Sequence, residues 1–113
     1  MKKLIVPIYG SIVRVFASVD EYTKYYGVAV GDDSYEAFVS TLQRGTEISH
    51  AVVFSGISTM TAATISHESV HIAWRVLDRA GVKVDVDNHE ALSYLVGWFA
   101  EKINDYRTQL TSK

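Results

Sequence analysis

The 113-residue sequence contains no cysteine, a single proline and no long uninterrupted apolar run. Without cysteine the chain has neither disulfides nor thiolate metal ligands, which fits a reducing compartment. Without about 20 consecutive apolar residues, a membrane-spanning helix is not expected. A strong excess of charge is also missing, since 11 basic residues stand against 13 acidic ones. This balance provides no basic field for nucleic acid, so nucleic-acid binding is not expected.

The N-terminal segment has two features of a signal peptide, namely early lysines and a following apolar stretch. Pro7, Gly10 and Arg14 interrupt that stretch, and residues 11–17 alternate between the two faces of a strand. We therefore expect no signal peptide and predict a cytoplasmic protein.

A hydrophobic content of 48% suits one domain over residues 1–113. The alternation of apolar and polar residues predicts that residues 1–57 are mainly β with one short helix. Longer helical patterns follow at residues 58–81 and 87–111. The predicted fold class is therefore α+β, with a small antiparallel or mixed sheet packed on two helices.

Within the N-terminal half, turn residues separate five short elements. We predict a helix at residues 19–26, a turn at 31–34, and strands at 4–9, 12–17, 35–42 and 48–55. Residues 35–43 also fit a short helix, but their valine and threonine content favours a strand.

The most specific motif is HExxH, which occupies residues 67–71. On a helix, His67 and His71 lie one turn apart on the same face and can reach one ion. Glu68 is rotated by about 100° from His67 and can take a proton from a water at that ion. The motif therefore predicts a zinc site with Glu68 as general base.

The sequence around the motif supports the helix that this chemistry requires. Residues 58–81 contain no proline and several alanines, and Gly81 follows the last apolar position. Ser58 or Thr59 is the predicted N-cap.

The motif also has an explanation that involves no metal. HExxH arises by chance in short chains with several histidines and glutamates. Two histidines beside the apolar face of a helix are ordinary, and Glu68 would then be a solvated helix residue. On that interpretation the chain is a metal-free α+β interaction module.

Catalytic zinc needs three protein ligands and an open position. The metzincin pattern HExxHxxGxxH is excluded, because Trp74 and Leu77 occupy the positions of its glycine and third histidine. Asp78 lies about 10 Å beyond His71 along the helix, too far to share an ion. Glu90 opens the next predicted helix, and an antiparallel helix would carry it back over the histidine pair. We therefore predict Glu90 as the third ligand.

Two alternatives to this assignment remain open. Asp87 and Glu90 have the spacing of an N-cap and an N3 residue, so a capping-box-like pattern explains both acids without a metal. His89 is the second alternative, as a ligand in place of Glu90.

The segment 66–99, SHESVHIAWRVLDRAGVKVDVDNHEALSYLVGWF, resembles small phage-encoded and bacterial HExxH proteins of the gluzincin class. The resemblance implies a minimal zincin-like domain in which the sheet packs on the HExxH helix and a C-terminal helix. It also implies Zn²⁺ as cofactor, with His67, His71 and Glu90 as ligands and Glu68 as general base. The expected compartment is then the cytoplasm of a bacterial or phage-infected host cell.

Peptide hydrolysis needs an oxyanion stabiliser and a surface that holds the substrate. Tyr94, one turn after Glu90, is the candidate stabiliser, although a packed, hydrogen-bonded tyrosine is an equal alternative. The strand at residues 48–55 leads into the motif helix and is the candidate edge strand for β-augmentation by a peptide. His50 on this strand is a candidate substrate-binding residue, with an ordinary surface histidine as the alternative.

The predicted function is therefore zinc-dependent peptide-bond hydrolysis, with a peptide or protein substrate as partner. A second possibility is a non-catalytic zinc-binding protein that contacts a phage or host partner. The short chain favours this second possibility, because it has no room for the substrate-binding subdomains of full-size peptidases of this class.

Overall fold

The computed structural model describes residues 1–31 and 35–112. Most of the turn predicted at 31–34, together with residue 113, lies outside the described residues. The described elements are β1 (Lys2–Ile5), β2 (Ile12–Phe16), α1 (Val19–Tyr26), β3 (Ala37–Arg44), β4 (Glu47–Phe54), a 3₁₀ turn (Ile57–Thr59), α2 (Ala62–Arg79) and α3 (Glu90–Thr111). In this part of the chain, no helix is both long and apolar enough to cross a membrane.

The four strands form one mixed sheet in the order β1-β2-β4-β3. The outer pairs, β1 with β2 and β3 with β4, are antiparallel, while β2 and β4 are parallel. The predicted α+β class with a small mixed sheet is therefore confirmed. This order leaves β1 and β3 at the two edges of the sheet.

The predicted edge strand is in fact a central strand. Strand β4 pairs with β2 on one side and β3 on the other, and six consecutive residues, from Ser49 onwards, are buried. Such continuous burial is typical of a strand covered on both faces. The backbone edge beside the motif helix therefore belongs to β3, and the assignment of residues 48–55 as the edge was wrong.

Two strand boundaries differ from the sequence prediction for local reasons. Strand β1 ends at Ile5, and the backbone then turns between Val6 and Ser11. Pro7 lies in this turn, where its missing N–H costs no sheet hydrogen bond. The strands of the β3–β4 hairpin have the predicted lengths but lie closer to the turn, because pairing continues to Arg44 and Glu47 around Gly45 with its positive φ of 64°.

Helices α2 and α3 cover one face of the sheet. Their buried side chains include Ile72 and Val76 from α2 and Leu95 and Phe99 from α3, which join the strand residues in one apolar core. Thr61 caps α2 by accepting a hydrogen bond from the Thr64 N–H at 3.2 Å. The predicted caps Ser58 and Thr59 lie in the preceding 3₁₀ turn instead.

The opposite face of the sheet carries α1 and an aromatic cluster of Phe16, Tyr22, Tyr25, Tyr26 and Phe38. Beside this cluster, the buried Arg14 guanidinium donates hydrogen bonds to both carboxylate oxygens of Glu47, at 2.9 and 3.2 Å. A paired, bidentate arrangement of this kind is how a buried charge is accommodated. The pair joins β2 to the start of β4.

The Arg14–Glu47 pair predicts a pH-dependent contribution to stability. Arg14 lowers the pKa of the Glu47 carboxyl, so the folded state favours the ionised form. The contribution is present above the unfolded pKa of about 4.3 and is lost as the pH falls through the folded pKa. We expect Glu47→Gln to lower the free energy of unfolding at pH 7 but to match wild type near pH 2. Urea denaturation across this range tests this, with exposed Glu101→Gln as control; an equal deficit at both pH values would contradict it.

Candidate metal centre

The two histidines of the motif point toward each other on the exposed side of α2. The Nε2 atoms of His67 and His71 are 3.2 Å apart, and the ring planes are inclined by 71°. Both side chains are exposed, so an ion from solvent can reach them. The separation arises because residues four apart on a helix lie one above the other.

This spacing fits two ligands of one tetrahedral ion. Two Zn–N bonds of about 2.05 Å that meet at the tetrahedral angle hold their nitrogens about 3.3 Å apart. The observed Nε2–Nε2 separation of 3.2 Å therefore needs almost no rearrangement to chelate zinc. The same separation also allows a hydrogen bond between one protonated and one unprotonated nitrogen, which is the arrangement without a metal.

Glu68 lies beside the histidine pair but on the inner side of the helix. Its side chain is 4% exposed, in contrast to the two histidines. Burial raises the pKa of the Glu68 carboxyl, and the neighbouring imidazoles of His67 and His71 oppose part of that rise. A carboxylate with a raised pKa is a better proton acceptor near neutral pH.

A groove between α2 and β3, here the α2–β3 groove, contains all three motif side chains. It has a volume of about 320 Å³. Its lining comprises Tyr35, Ala37, Phe38, Val39, His67, Glu68, His71 and Arg75. Because β3 is an edge strand, the groove combines two imidazoles, an acid and a strand edge that β4 does not occupy.

Strand β3 and helix α2 run side by side in the same direction. The Thr64 hydroxyl approaches the Glu36 carboxylate at 3.4 Å, and Arg75 donates a hydrogen bond to the Thr41 hydroxyl at 2.9 Å. The step from Glu36 to Thr41 covers about 17 Å of strand. The step from Thr64 to Arg75 covers the same length, about 17 Å, of helix. The strand edge therefore follows the helix from the motif to Arg75.

Glu90 is exposed in the first turn of α3, and α3 lies on the other flank of α2. The helices are antiparallel, since Arg107 near the end of α3 bonds the carbonyl of Met60 just before α2. Glu90 is about 25 Å from Arg107 along α3, whereas His71 is only about 14 Å from the start of α2. The start of α3 thus lies roughly 10 Å beyond His71 along the helix pair.

The structure therefore does not bring Glu90 to His67 and His71. Within residues 1–31 and 35–112, no group of three or more His, Cys, Asp or Glu side chains could hold a metal ion. The capping-box alternative is wrong, because α3 begins at Glu90 with His89 as its N-cap. The loop is held instead by Asp85, whose carboxylate accepts from the Asp87 N–H at 2.9 Å.

The two remaining predicted site residues lie away from the motif. Tyr94 is 54% exposed on α3 and does not line the α2–β3 groove. His50 is not a surface histidine, since it is 2% exposed. Its Nδ1 is 2.9 Å from the Thr41 hydroxyl, in a cleft that adjoins the groove through Arg75.

Two residues next to the motif were not among the predicted site residues. Glu36 lines a pocket that adjoins the groove and shares His67 and Glu68 with it. Arg75 lies one turn after His71 and belongs to both the groove and the His50 cleft. The i+4 spacing from His71 to Arg75 was readable from the sequence, whereas the approach of Glu36 required knowledge of the strand order.

The buried position of His50 predicts an unusual titration. Burial, followed by the charges of Arg75 and Arg79, lowers the pKa of His50 to about 4. An unfolded histidine titrates near about 6.5, so the unfolded chain binds more protons between these values. His50 therefore lowers stability as the pH falls through this window. We expect an NMR titration of the His50 ring to have its midpoint near 4; a midpoint at the ordinary value would contradict its burial.

Comparisons with protein-family profiles, with curated proteins and with solved structures find no match to this chain.

Proposed function

We propose that this protein is a zinc-dependent peptide hydrolase whose metal is held by His67 and His71. The observation that carries the proposal is the Nε2–Nε2 separation of 3.2 Å, which matches two ligands of one zinc ion. Glu68 beside the pair and the strand edge along the same groove add a base and a substrate surface.

In the proposed reaction the protein supplies ligands, a base and alignment. When bound, zinc is a Lewis acid that polarises a carbonyl group and makes water more acidic. Glu68 accepts the proton of the attacking water and delivers it to the leaving amine. Its burial favours the first step, because a raised pKa makes the Glu68 carboxylate a stronger base.

The peptide substrate pairs with the edge of β3. The outward backbone groups of an edge strand bind an extended peptide by β-augmentation. Strand β3 runs along α2, so a peptide added to it passes the motif side chains. Strand β3 therefore replaces the strand at residues 48–55 as the proposed edge strand for the peptide.

Two carboxylates are candidates for the third zinc ligand, and a separate experiment distinguishes them. Glu90 is the ligand predicted from the sequence, and Glu36 is a carboxylate in the pocket that adjoins the groove at His67. Zinc titration of Glu90→Gln and Glu36→Gln, in parallel, distinguishes them. A loss of affinity of about tenfold or more in one variant alone identifies the ligand.

A non-catalytic zinc-binding protein is the second candidate function. It is favoured because no group of three or more His, Cys, Asp or Glu side chains in residues 1–31 and 35–112 is placed to hold a metal ion, so a partner would complete the coordination of zinc. Zinc would then stabilise the start of α2 and present a surface to a protein partner.

Peptide cleavage by tag-free protein separates the two candidates. We expect a mixture of fluorogenic peptides to be cleaved with zinc, and cleavage to stop after chelation and to return on adding zinc. Stoichiometric zinc without cleavage would support the non-catalytic candidate. No bound zinc at neutral pH would remove both.

A further inference from the structure

The α2–β3 groove continues past the motif into a second cleft, here the arginine cleft. It has a volume of about 270 Å³ and is lined by Thr41, His50, Arg75, Asp78 and Arg79. Arg75 belongs to both the groove and the cleft, so the two adjoin along α2. The proposed reaction assigns no role to the arginine cleft.

The cleft has the chemistry of a carboxylate site. Arg75 and Arg79 are one turn apart on the same side of α2, and neither forms an ion pair with any acid in residues 1–31 and 35–112. Arginine side chains bind carboxylates through paired, charge-assisted hydrogen bonds. Asp78 offsets one of the two positive charges, which leaves a net positive lining.

The cleft is partly preorganised by contacts with the sheet. The Thr41 hydroxyl accepts a hydrogen bond from Arg75 at 2.9 Å and contacts the His50 Nδ1 at the same distance. His50 is buried, and its lowered pKa keeps the ring neutral at pH 7. The helix dipole accounts for Arg79 in the last turn of α2. The dipole does not account for the hydrogen bond from Arg75 to Thr41, which holds the Arg75 side chain over the sheet.

We propose that the arginine cleft binds a carboxylate of the peptide that lies along β3. Arg75 and Arg79 lie about 6 and 12 Å beyond His71 along the axis of α2. An extended peptide rises about 3.3 Å per residue, so the carboxylate belongs about two to four residues from the position at the motif. It is either an acidic side chain or the free C-terminus of a short peptide.

The inference rests on the proposed function for one point, the distance between the carboxylate and the reactive position. Binding of the carboxylate does not depend on catalysis and is measured without it. The Glu68→Gln variant serves as the binding protein, because it leaves the arginine cleft intact and is not expected to cleave the probe.

The probes are fluorescein-labelled peptides of about twelve residues in an Ala/Ser background. One carries an Asp-Glu pair and its partner carries Asn-Gln, each with an amidated C-terminus; a third carries Asn-Gln with a free C-terminus. We expect the acidic side chains or the free terminus to tighten binding about tenfold, as one charge-assisted contact predicts. The probe that binds more tightly shows whether the carboxylate comes from an acidic side chain or from the C-terminus.

Arg75→Gln/Arg79→Gln, introduced into the Glu68→Gln protein, is expected to remove this preference. Lys83→Gln removes a positive charge from an exposed site outside the cleft. This variant is expected to keep the preference for the carboxylate-bearing probes. Circular dichroism checks that the variants fold. Equal binding of all three probes, or a preference that survives the double substitution, would overturn the inference.

Cleavage of the same peptides separates the two proposals. If the wild-type protein cleaves the acidic and neutral peptides equally well, the proposed carboxylate site is wrong and the proposed hydrolase function is supported. If the acidic probe binds through the arginines and no peptide is cleaved with zinc, the carboxylate site stands and the hydrolase is wrong.

Discussion

Glu68→Gln is expected to abolish zinc-dependent peptide cleavage while the protein still binds zinc. Glutamine keeps the shape of the side chain but cannot accept the proton of water. Loss of a general base lowers the rate by about 10²- to 10⁴-fold. Because Glu68 is not one of the proposed ligands, zinc affinity should change little. The rate is measured with fluorogenic peptides, and the zinc content by elemental analysis of the same samples.

Glu101→Gln is the matched control for this experiment. Glu101 is an exposed glutamate on α3, so the same substitution there should leave both rate and zinc content unchanged. Cleavage that survives in Glu68→Gln would show that another group acts as base or that a contaminant cleaves the peptides. Loss of zinc from Glu68→Gln would instead make Glu68 part of the coordination sphere.

His67→Ala and His71→Ala are each expected to remove zinc binding and the stabilisation that comes with it. A ligand that binds only the folded state at a hundred times its Kd stabilises it by about 2.7 kcal/mol. For a domain of this size this corresponds to an increase in Tm of roughly 10 °C. We expect zinc to raise the Tm of wild type by this order and to leave the Tm of either variant unchanged. Differential scanning fluorimetry with and without zinc measures the shift.

His89→Ala provides the histidine control. His89 is exposed at the N-cap of α3 and forms no side-chain capping hydrogen bond there, so its loss should not affect the zinc-dependent shift. If His89→Ala also abolished the shift, His89 would be the third ligand. If His67→Ala kept the full shift, zinc would bind elsewhere and the proposed centre would be wrong.

The elements with strong local signals were predictable from the sequence. Helix α1 was predicted with its observed bounds, because Ser18 caps its start and Gly27, with a φ of 67°, ends it. The β3–β4 hairpin was predicted from Gly45 between two alternating segments, and only its ends shifted by one or two residues. Such features depend on side chains within a few positions of one another.

The order of the strands was not predictable in the same way. Strand β4 precedes the motif helix along the chain, which suggested that it is the edge strand that pairs with a peptide. The parallel pairing of β2 with β4 places it inside the sheet and leaves β3 at the edge. Pairing between strands far apart in sequence depends on the packing of the whole core, which local patterns do not encode.

In the candidate site, too, local geometry was predictable from the sequence and long-range placement was not. The approach of His67 and His71 follows from the helical repeat alone, and the structure has it at 3.2 Å. The meeting of Glu90 with this pair depends on how far the loop after α2 carries the next helix. The structure leaves Glu90 at the far end of α2. It places Arg75 in the groove and Glu36 in the pocket that adjoins it.

X-ray absorption of the zinc-loaded, tag-free protein tests the central claim most directly. If His67 and His71 hold the ion, the spectrum shows two imidazole nitrogens at about 2.0–2.1 Å from zinc, and the His67→Ala protein loses this signal. A zinc shell made of oxygen alone, or an unchanged imidazole signal in His67→Ala, would contradict the account.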